Sequence, residues 1–114
     1  MRDPAERLRD ILDAIAAIDR HLDCDKAAFG QDELRQAWFL RHLQIIGEAA
    51  RALPPEIRVL NEEIPWAKII GMRNVLVHGY FGIDIDIVWE AVSRDVPVLK
   101  PAILALLAHM ENQS

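Results

Sequence analysis

Apolar residues recur at helical spacing along almost the whole chain, and the two-residue period of a half-buried strand is nowhere sustained. Leu8, Ile11, Leu12, Ile15, Ile18 and Leu22 form the first stripe, with charged residues on the opposite side. Asp3 is placed to cap this helix, and Pro4 follows at the first helical position, where a missing N–H costs nothing. Asp23-Cys24-Asp25 ends the pattern, and Phe29-Gly30 marks a connection. A second helix starts near Gln31-Asp32 and carries Leu34, Trp38, Ile45, Ala49 and Leu53 on its buried side. It stops at Pro54-Pro55, which cannot continue a helix interior. A short helical turn from Glu56 to Leu60 then leads into Asn61-Glu62-Glu63. Pro65 opens a third main helix that runs through Trp66, Ile69, Ile70 and Arg73 to about His78.

Gly79 and Gly82 bracket Tyr80-Phe81 in a break between helices. Asp84 can cap the next helix, which places Ile85, Val88, Trp89 and Val92 on one face. Pro97 and Pro101 leave two readings open: one helix bends there, or a new helix begins near Asp95 and runs to His109. A break or kink near Asp95 is preferred. Residues Gly82 to Ile87 alternate briefly but merge into Val88-Trp89 at helical spacing, so they read as a helix start. The expectation is an all-α protein, an antiparallel bundle of four or five helices, in one domain over residues 1–114.

Composition adds a partner to this picture. The chain is 52% hydrophobic at 114 residues, a high fraction for a small surface-rich domain, so a second subunit is expected to cover part of it. A homodimer is the economical expectation. The single cysteine, Cys24, excludes an intrachain disulfide and fits a reducing cytoplasm. No apolar run has the length of a membrane span, and the amino terminus is charged where a signal peptide is apolar. Net charge is −5, with 18 acidic residues against 13 basic ones, which argues against a generic nucleic-acid coat. A small cleft could still override that sum. Most of the cations are arginine, the residue that grips phosphate in a defined geometry.

The chemistry concentrates in Arg73-Asn74-Val75-Leu76-Val77-His78-Gly79-Tyr80. Arg73 and His78 are about 140° apart on an ideal helix, so they share a face only if the helix ends or tightens at Gly79. Asn74 and His78 are four residues apart and do share a face. The cluster would combine a phosphate clamp, an amide, a group titrating near neutrality and a phenol. A metal-independent ribonuclease needs such parts: the histidine to move protons at the ribose 2′-OH or the leaving oxygen, the arginine to stabilise the phosphorane. One histidine does half of the acid–base work, and a twofold axis joining two copies would supply the other half. On spacing alone the plainer reading is favoured, with His78 capping a helix end and Arg73 in a surface ion pair.

The pattern Arg73-x4-His78-x-Tyr80, with Asn74 directly after the arginine, resembles the signature of the HEPN superfamily and is closest to its HepT-like branch. Ile45-Ile46-Gly47-Glu48-Ala49, Ile64-Pro65-Trp66, and Tyr80-Phe81-Gly82 followed by Val88-Trp89 fit that branch as well, so the resemblance covers nearly the whole chain. It implies a helical domain that dimerises around the motif, with Arg73 and His78 forming a composite ribonuclease site. It also implies the toxin of a two-gene toxin–antitoxin module, whose partner is a minimal nucleotidyltransferase that transfers AMP to the motif tyrosine, Tyr80. No cofactor is implied. The rival implication is a non-catalytic HEPN module that binds nucleotide or docks with that nucleotidyltransferase and is modified by it. A plain structural helical subunit is the third reading.

Other positions matter less. Glu48 either turns into the cleft to orient Arg73 or His78, or faces solvent. Gly47 and Gly71 sit inside helices, where close helix–helix approach is the expected return. His21 and Cys24 have a metal-like spacing without a second pair, which favours a surface histidine and a half-buried thiol. His42 could lie in the core, on the surface or in a cleft, and His109 complements a helix dipole. Trp38, Trp66 and Trp89 read as core or interface packing, and Asp84 and Asp86 as capping residues.

Overall fold

The first helix, α1 (Pro4–Asp19), begins as its sequence dictates: the Asp3 carboxylate accepts the Ala5 N–H at 2.9 Å, and Pro4 occupies the first turn. The structure, a computed structural model, describes residues 3–77 and 84–112, with side chains described except over 72–77. Leu8, Ile11, Ile15 and Ile18 are fully buried along α1, while Leu12 and Leu22 pack on the core from its edge. The helix ends earlier than Leu22: the Arg20 N–H still bonds the Ala16 carbonyl four residues back, whereas the His21 and Leu22 N–H groups turn to Ile18 and Asp19, three back.

The stretch expected to be a connection holds a helix of its own. Asp25 caps α2 (Lys26–Gly30) by accepting the Ala28 N–H at 2.8 Å. This single turn delivers Phe29 to the core, where its ring stacks on Phe39 and tilts against Trp89, each at a centroid distance of 5.4 Å. A five-residue helix is too short to display a period, which is why the pattern missed it.

Asp32 caps α3 (Glu33–Ala52) by accepting the Arg35 N–H at 3.1 Å. Ala49 and Leu53 are buried as expected, but the centre of the buried face is shifted from the one expected. Phe39, Leu43, Ile46 and Ala50 form its spine, Trp38 and Ile45 are half-buried, and Leu34 is 85% exposed. The stack on Phe29 fixes this rotation, since Leu34 precedes Phe39 by five residues and so points about 140° away from it. α3 lies between α1 on one side and the third long helix on the other.

After α3 the chain turns through α4 (Pro55–Arg58) and a 3-10 turn (Val59–Asn61), close to the short helix expected there. The Trp66 indole N–H donates to the carbonyls of both Arg58 and Asn61 at 3.0 Å, tying the turn to the start of α5 (Trp66–Val77). Pro65 stands just before this helix and accepts the Ile69 N–H at 3.0 Å. Ile69 is buried and shares a cavity wall with Leu43 and Ile46 of α3.

Asp84 caps α6 (Ile85–Glu90), accepting the Ile87 N–H at 3.2 Å, and Val88 is fully buried. No break follows. A π-helical segment (Ala91–Asp95) joins α6 to α7 (Val96–Asn112), and the Val96 N–H bonds the Ala91 carbonyl five residues back. The preferred break near Asp95 is therefore a change in hydrogen-bond pattern inside a continuous helical path. The wider turn includes Ser93, the residue whose carbonyl the Pro97 ring would strike in an α-helix, so it relieves that clash. Val96, Leu99, Ile103 and Leu106 then recur at three- and four-residue steps and pack against α1. Every regular element among the described residues is helical, and no described helix is long and apolar enough to cross a membrane.

Gly71 does not mark a close approach: an added Cβ would meet nothing within 4 Å among the described residues. Gly71→Ala is therefore expected to stabilise the fold by up to about 1 kcal/mol in urea unfolding. By the same measurement Phe39→Ala costs about 3–5 kcal/mol, as large-to-small changes in a closed core do. Leu34→Ala shifts stability by less than about 0.5 kcal/mol. A large loss for Leu34→Ala would reinstate the other face of α3.

Candidate functional site

α5 carries the first half of the motif. Arg73 and Asn74 belong to its helical backbone, their side chains lying outside those described, and His78 and Tyr80 fall outside the described residues altogether. What the structure defines is the frame on both sides. α5 is set on α3 by Ile69 and held at its start by the Trp66 indole. α6 resumes with its Asp84 cap and with Trp89 packed against Phe29. The six residues 78–83 span these two anchored ends.

Glu48, the remaining candidate, is exposed on α3. Arg41 lies two helical turns earlier on the same face and Arg51 nearly one turn later, both exposed. The carboxylate therefore stands between two cations on an accessible surface of α3.

Sequence spacing alone did not resolve the environment of His42. The ring is half-buried, with Nδ1 2.8 Å from the Trp38 carbonyl. A carbonyl can only accept, so Nδ1 carries the proton and Nε2 of the neutral ring is left as an acceptor. Trp38 in turn donates its indole N–H to the Ala17 carbonyl at 2.8 Å, pinning α3 to α1. His21, exposed at the end of α1, meets the Trp38 ring edge-on at 5.2 Å, and His42 meets it at 4.4 Å. The i, i+4 spacing of Trp38 and His42 was the available signal for this contact; His21 had none. An open groove runs beside His42, lined also by Asp10, Asp13, Arg20 and Ile45.

Cys24 is half-buried and interacts with Arg35. The hydrogen bond to Cys24, with the Asp23 and Asp32 carboxylates nearby, outweighs the opposing effect of burial and holds the Arg35 guanidinium above its ordinary range. Both carboxylates lie 3.6 Å from the guanidinium. The cysteine is thus part of a structural clasp between the α2 region and α3. No group of three or more metal-type ligands occurs among the described residues.

Comparison with known proteins identifies the lineage. Residues 11–106 match the family model described as "Ribonuclease HepT-like". The chain belongs to the HepT-like ribonuclease family. The matched region contains positions 48, 73, 74, 78 and 80. The HepT-like chain is 37% identical over 100 residues to the "Probable ribonuclease HepT" of Thermococcus cleftensis, covering 87% of this chain and 91% of that one. It is 38% identical over 100 residues to "Putative RNase MJ1380" of Methanocaldococcus jannaschii, covering 87% of this chain and 92% of that protein. A third relative, "Gamma-glutamylcyclotransferase and putative RNase MJ0434" from the same organism, is 35% identical over 106 residues. There the match covers 92% of this chain and 48% of the relative, so this HepT-like chain spans about half that protein's length. No solved structure matches the chain.

The His42 arrangement makes a direct prediction for this HepT-like protein. Long-range ¹H–¹⁵N correlation spectra of neutral His42 are expected to show the Nδ1–H tautomer, in both wild type and Trp38→Phe. An Nε2–H tautomer would mean that the bond to the Trp38 carbonyl is not made in solution.

Proposed function

We propose that this HepT-like protein is a metal-independent endoribonuclease that acts as a homodimer and serves as the toxin of a toxin–antitoxin pair. The observation that carries the reading is the family match over residues 11–106, within which Arg73-x4-His78-x-Tyr80 stands complete. The ribonuclease names of its relatives support it.

The chemistry follows from the residue types. The ribose 2′-oxygen attacks phosphorus as its proton passes to one His78. The P–O5′ bond breaks as the leaving oxygen takes a proton from the His78 of the second copy. The products are a 2′,3′-cyclic phosphate and a 5′-hydroxyl. Arg73 neutralises the charge that grows on the phosphorane oxygens, Asn74 positions the reacting groups, and Glu48 orients one of the two cationic partners. A single motif histidine per chain is why the active unit is a dimer.

Control falls to Tyr80. A minimal nucleotidyltransferase is the partner: the tyrosine oxygen attacks the α-phosphorus of ATP, pyrophosphate leaves, and AMP remains on the phenol. The added phosphate and nucleoside bring bulk and negative charge to the place where an RNA phosphate must sit. One observation favours the rival reading of a non-catalytic docking module, namely the net charge of −5, which gives little general affinity for RNA.

Purified protein free of AMP by intact mass, incubated with several RNAs in EDTA, separates the two readings. Wild type is expected to cleave. His78→Ala is expected to lose about 10²–10⁴-fold in rate and Arg73→Ala about 10²–10³-fold, with unchanged circular dichroism. Tyr80→Phe is expected to take up no AMP when expressed with the partner. Cleavage that survives His78→Ala sinks the mechanism, and a wild type inert on every RNA selects the docking module.

A further inference from the structure

The seam between α1 and α3 gathers rings and cations that the motif does not use. Trp38 is flanked by two imidazoles, with His21 edge-on at 5.2 Å and His42 at 4.4 Å. His21 is exposed. His42 donates from Nδ1 to the Trp38 carbonyl at 2.8 Å, which leaves Nε2 of the neutral ring as an acceptor. His42 also lines an open groove of about 560 Å³, within the range of small-molecule sites. Arg20 lines that groove from the α1 side, and Arg41, the residue before His42, is exposed on α3. Neither guanidinium enters an ion pair among the described residues.

The end of a helix normally repels an anion, because its last carbonyls carry the negative end of the dipole. Here those of α1 are occupied. Ala16, Ile18 and Asp19 accept the N–H groups of Arg20, His21 and Leu22, and Ala17 accepts the Trp38 indole N–H. The carboxylates next in sequence are engaged as well, Asp19 with Lys100 at 4.0 Å and Asp23 with Arg35 at 3.6 Å. Asp10 and Asp13 line the same groove, but Asp13 precedes Arg20 by two turns of helix, about 10 Å. Around Arg41 the positions one turn away are Ala37, Trp38, Gln44 and Ile45, none of them acidic. The groove is therefore polarised, with acids at one end and unpaired arginine beside rings at the other.

We propose that this end of the seam binds a ribonucleotide unit, either free or within a single strand. Its phosphate lies between Arg20 and Arg41, its base stacks on the exposed His21 ring, and a ribose hydroxyl donates to Nε2 of His42. A plain anion would leave the rings unused, and a plain aromatic ligand would leave the arginines unpaired. Asp10 and Asp13 hold the charge of the groove near balance, so the contact selects a ligand without adding a general attraction for RNA. No motif residue takes part, and the site stands or falls apart from the ribonuclease reading.

Side-chain ¹⁵N spectra of the histidines of the full chain in EDTA, titrated with AMP, test the site. The His21 and His42 resonances are expected to shift together. Arg20→Ala and Arg41→Ala are each expected to weaken AMP about ten-fold. His21→Ala is expected to weaken it about five-fold or more. Circular dichroism stays unchanged, since all three side chains are exposed. The same titration with oligoadenylate RNA, on His78→Ala so that the strand stays intact, separates the two sources. A strand that binds more tightly than AMP is the ligand; equal or weaker binding makes it the free nucleotide. The proposal is overturned if neither imidazole shifts with either probe, or if the shifts persist undiminished in both arginine variants. It is also overturned if inorganic phosphate binds as tightly as AMP, or if only His78 responds, which puts the nucleotide at the motif. Binding at this seam in a wild type that cleaves no RNA would leave the site standing and remove the ribonuclease reading.

Discussion

Phe29 touches both Phe39 and Trp89, and the placement of the helices around the motif depends on this aromatic column. It joins α2 and the neighbouring α3 to α6, which is remote in sequence, through a residue with no solvent exposure. Ring contacts of this kind contribute about 0.5–1.5 kcal/mol beyond the area they bury. Their larger effect here is geometric. With Phe39 locked, α3 can rotate neither toward Leu34 nor away from it, and the spine of Leu43 and Ile46 must face α5. That in turn sets Ile69 and the helix that leads into Arg73. Trp89, on the other side of the column, sets α6. The helices on both sides of the motif segment are therefore held by one core.

The path out of the motif depends on a second constraint. Two prolines stand close together, at 97 and 101, in a sequence that must keep a buried stripe of Val88, Val92, Val96, Leu99 and Ile103 facing inward. A break would have released that stripe from α1. The π segment keeps the chain helical and relieves the proline clash, and Ser93 uses its hydroxyl to bond the Trp89 carbonyl at 2.6 Å. Extra residues in a π turn advance the helical phase. The stripe absorbs this because Val88, Val92 and Val96 recur every four residues, with Val92 inside the π segment.

Much of this was legible beforehand. The Asp3–Pro4 start, the Asp84 cap and the proline stop after α3 are local chemistry, and each recurs in the structure. The residues that misled are those whose fate is settled at a distance. Leu34 has the right hydrophobicity and spacing for burial, yet Phe39 decides the rotation of the helix by finding Phe29. Phe29 itself sits in a helix of one turn, which has no period to read. Gly71 suggested a close contact that the described residues do not make. The motif was legible for a different reason. Its residue types and order carry chemical meaning without any fold, and the family match then covers all of them. The relation of His42 to Trp38 needed coordinates, because only a distance shows which ring nitrogen faces a carbonyl.

The acidic balance of the chain bears on how such a site would be used. A nuclease that binds RNA through a wide basic surface gains affinity for every RNA, and each contact adds to the salt-dependent attraction. Here the described surface is mixed, with Lys26, Lys68, Lys100 and Arg9 all engaged by carboxylates. Under the proposed reading, the affinity that matters comes from the motif, above all the two arginines that a twofold axis would bring together. That concentration of function makes control efficient. Where the charge that binds substrate sits at one place, one added phosphate at Tyr80 offsets a large share of it, whereas on a broadly basic surface the same group would be a small perturbation. Low general affinity and regulation by a single nucleotide are, on this argument, two consequences of the same charge distribution.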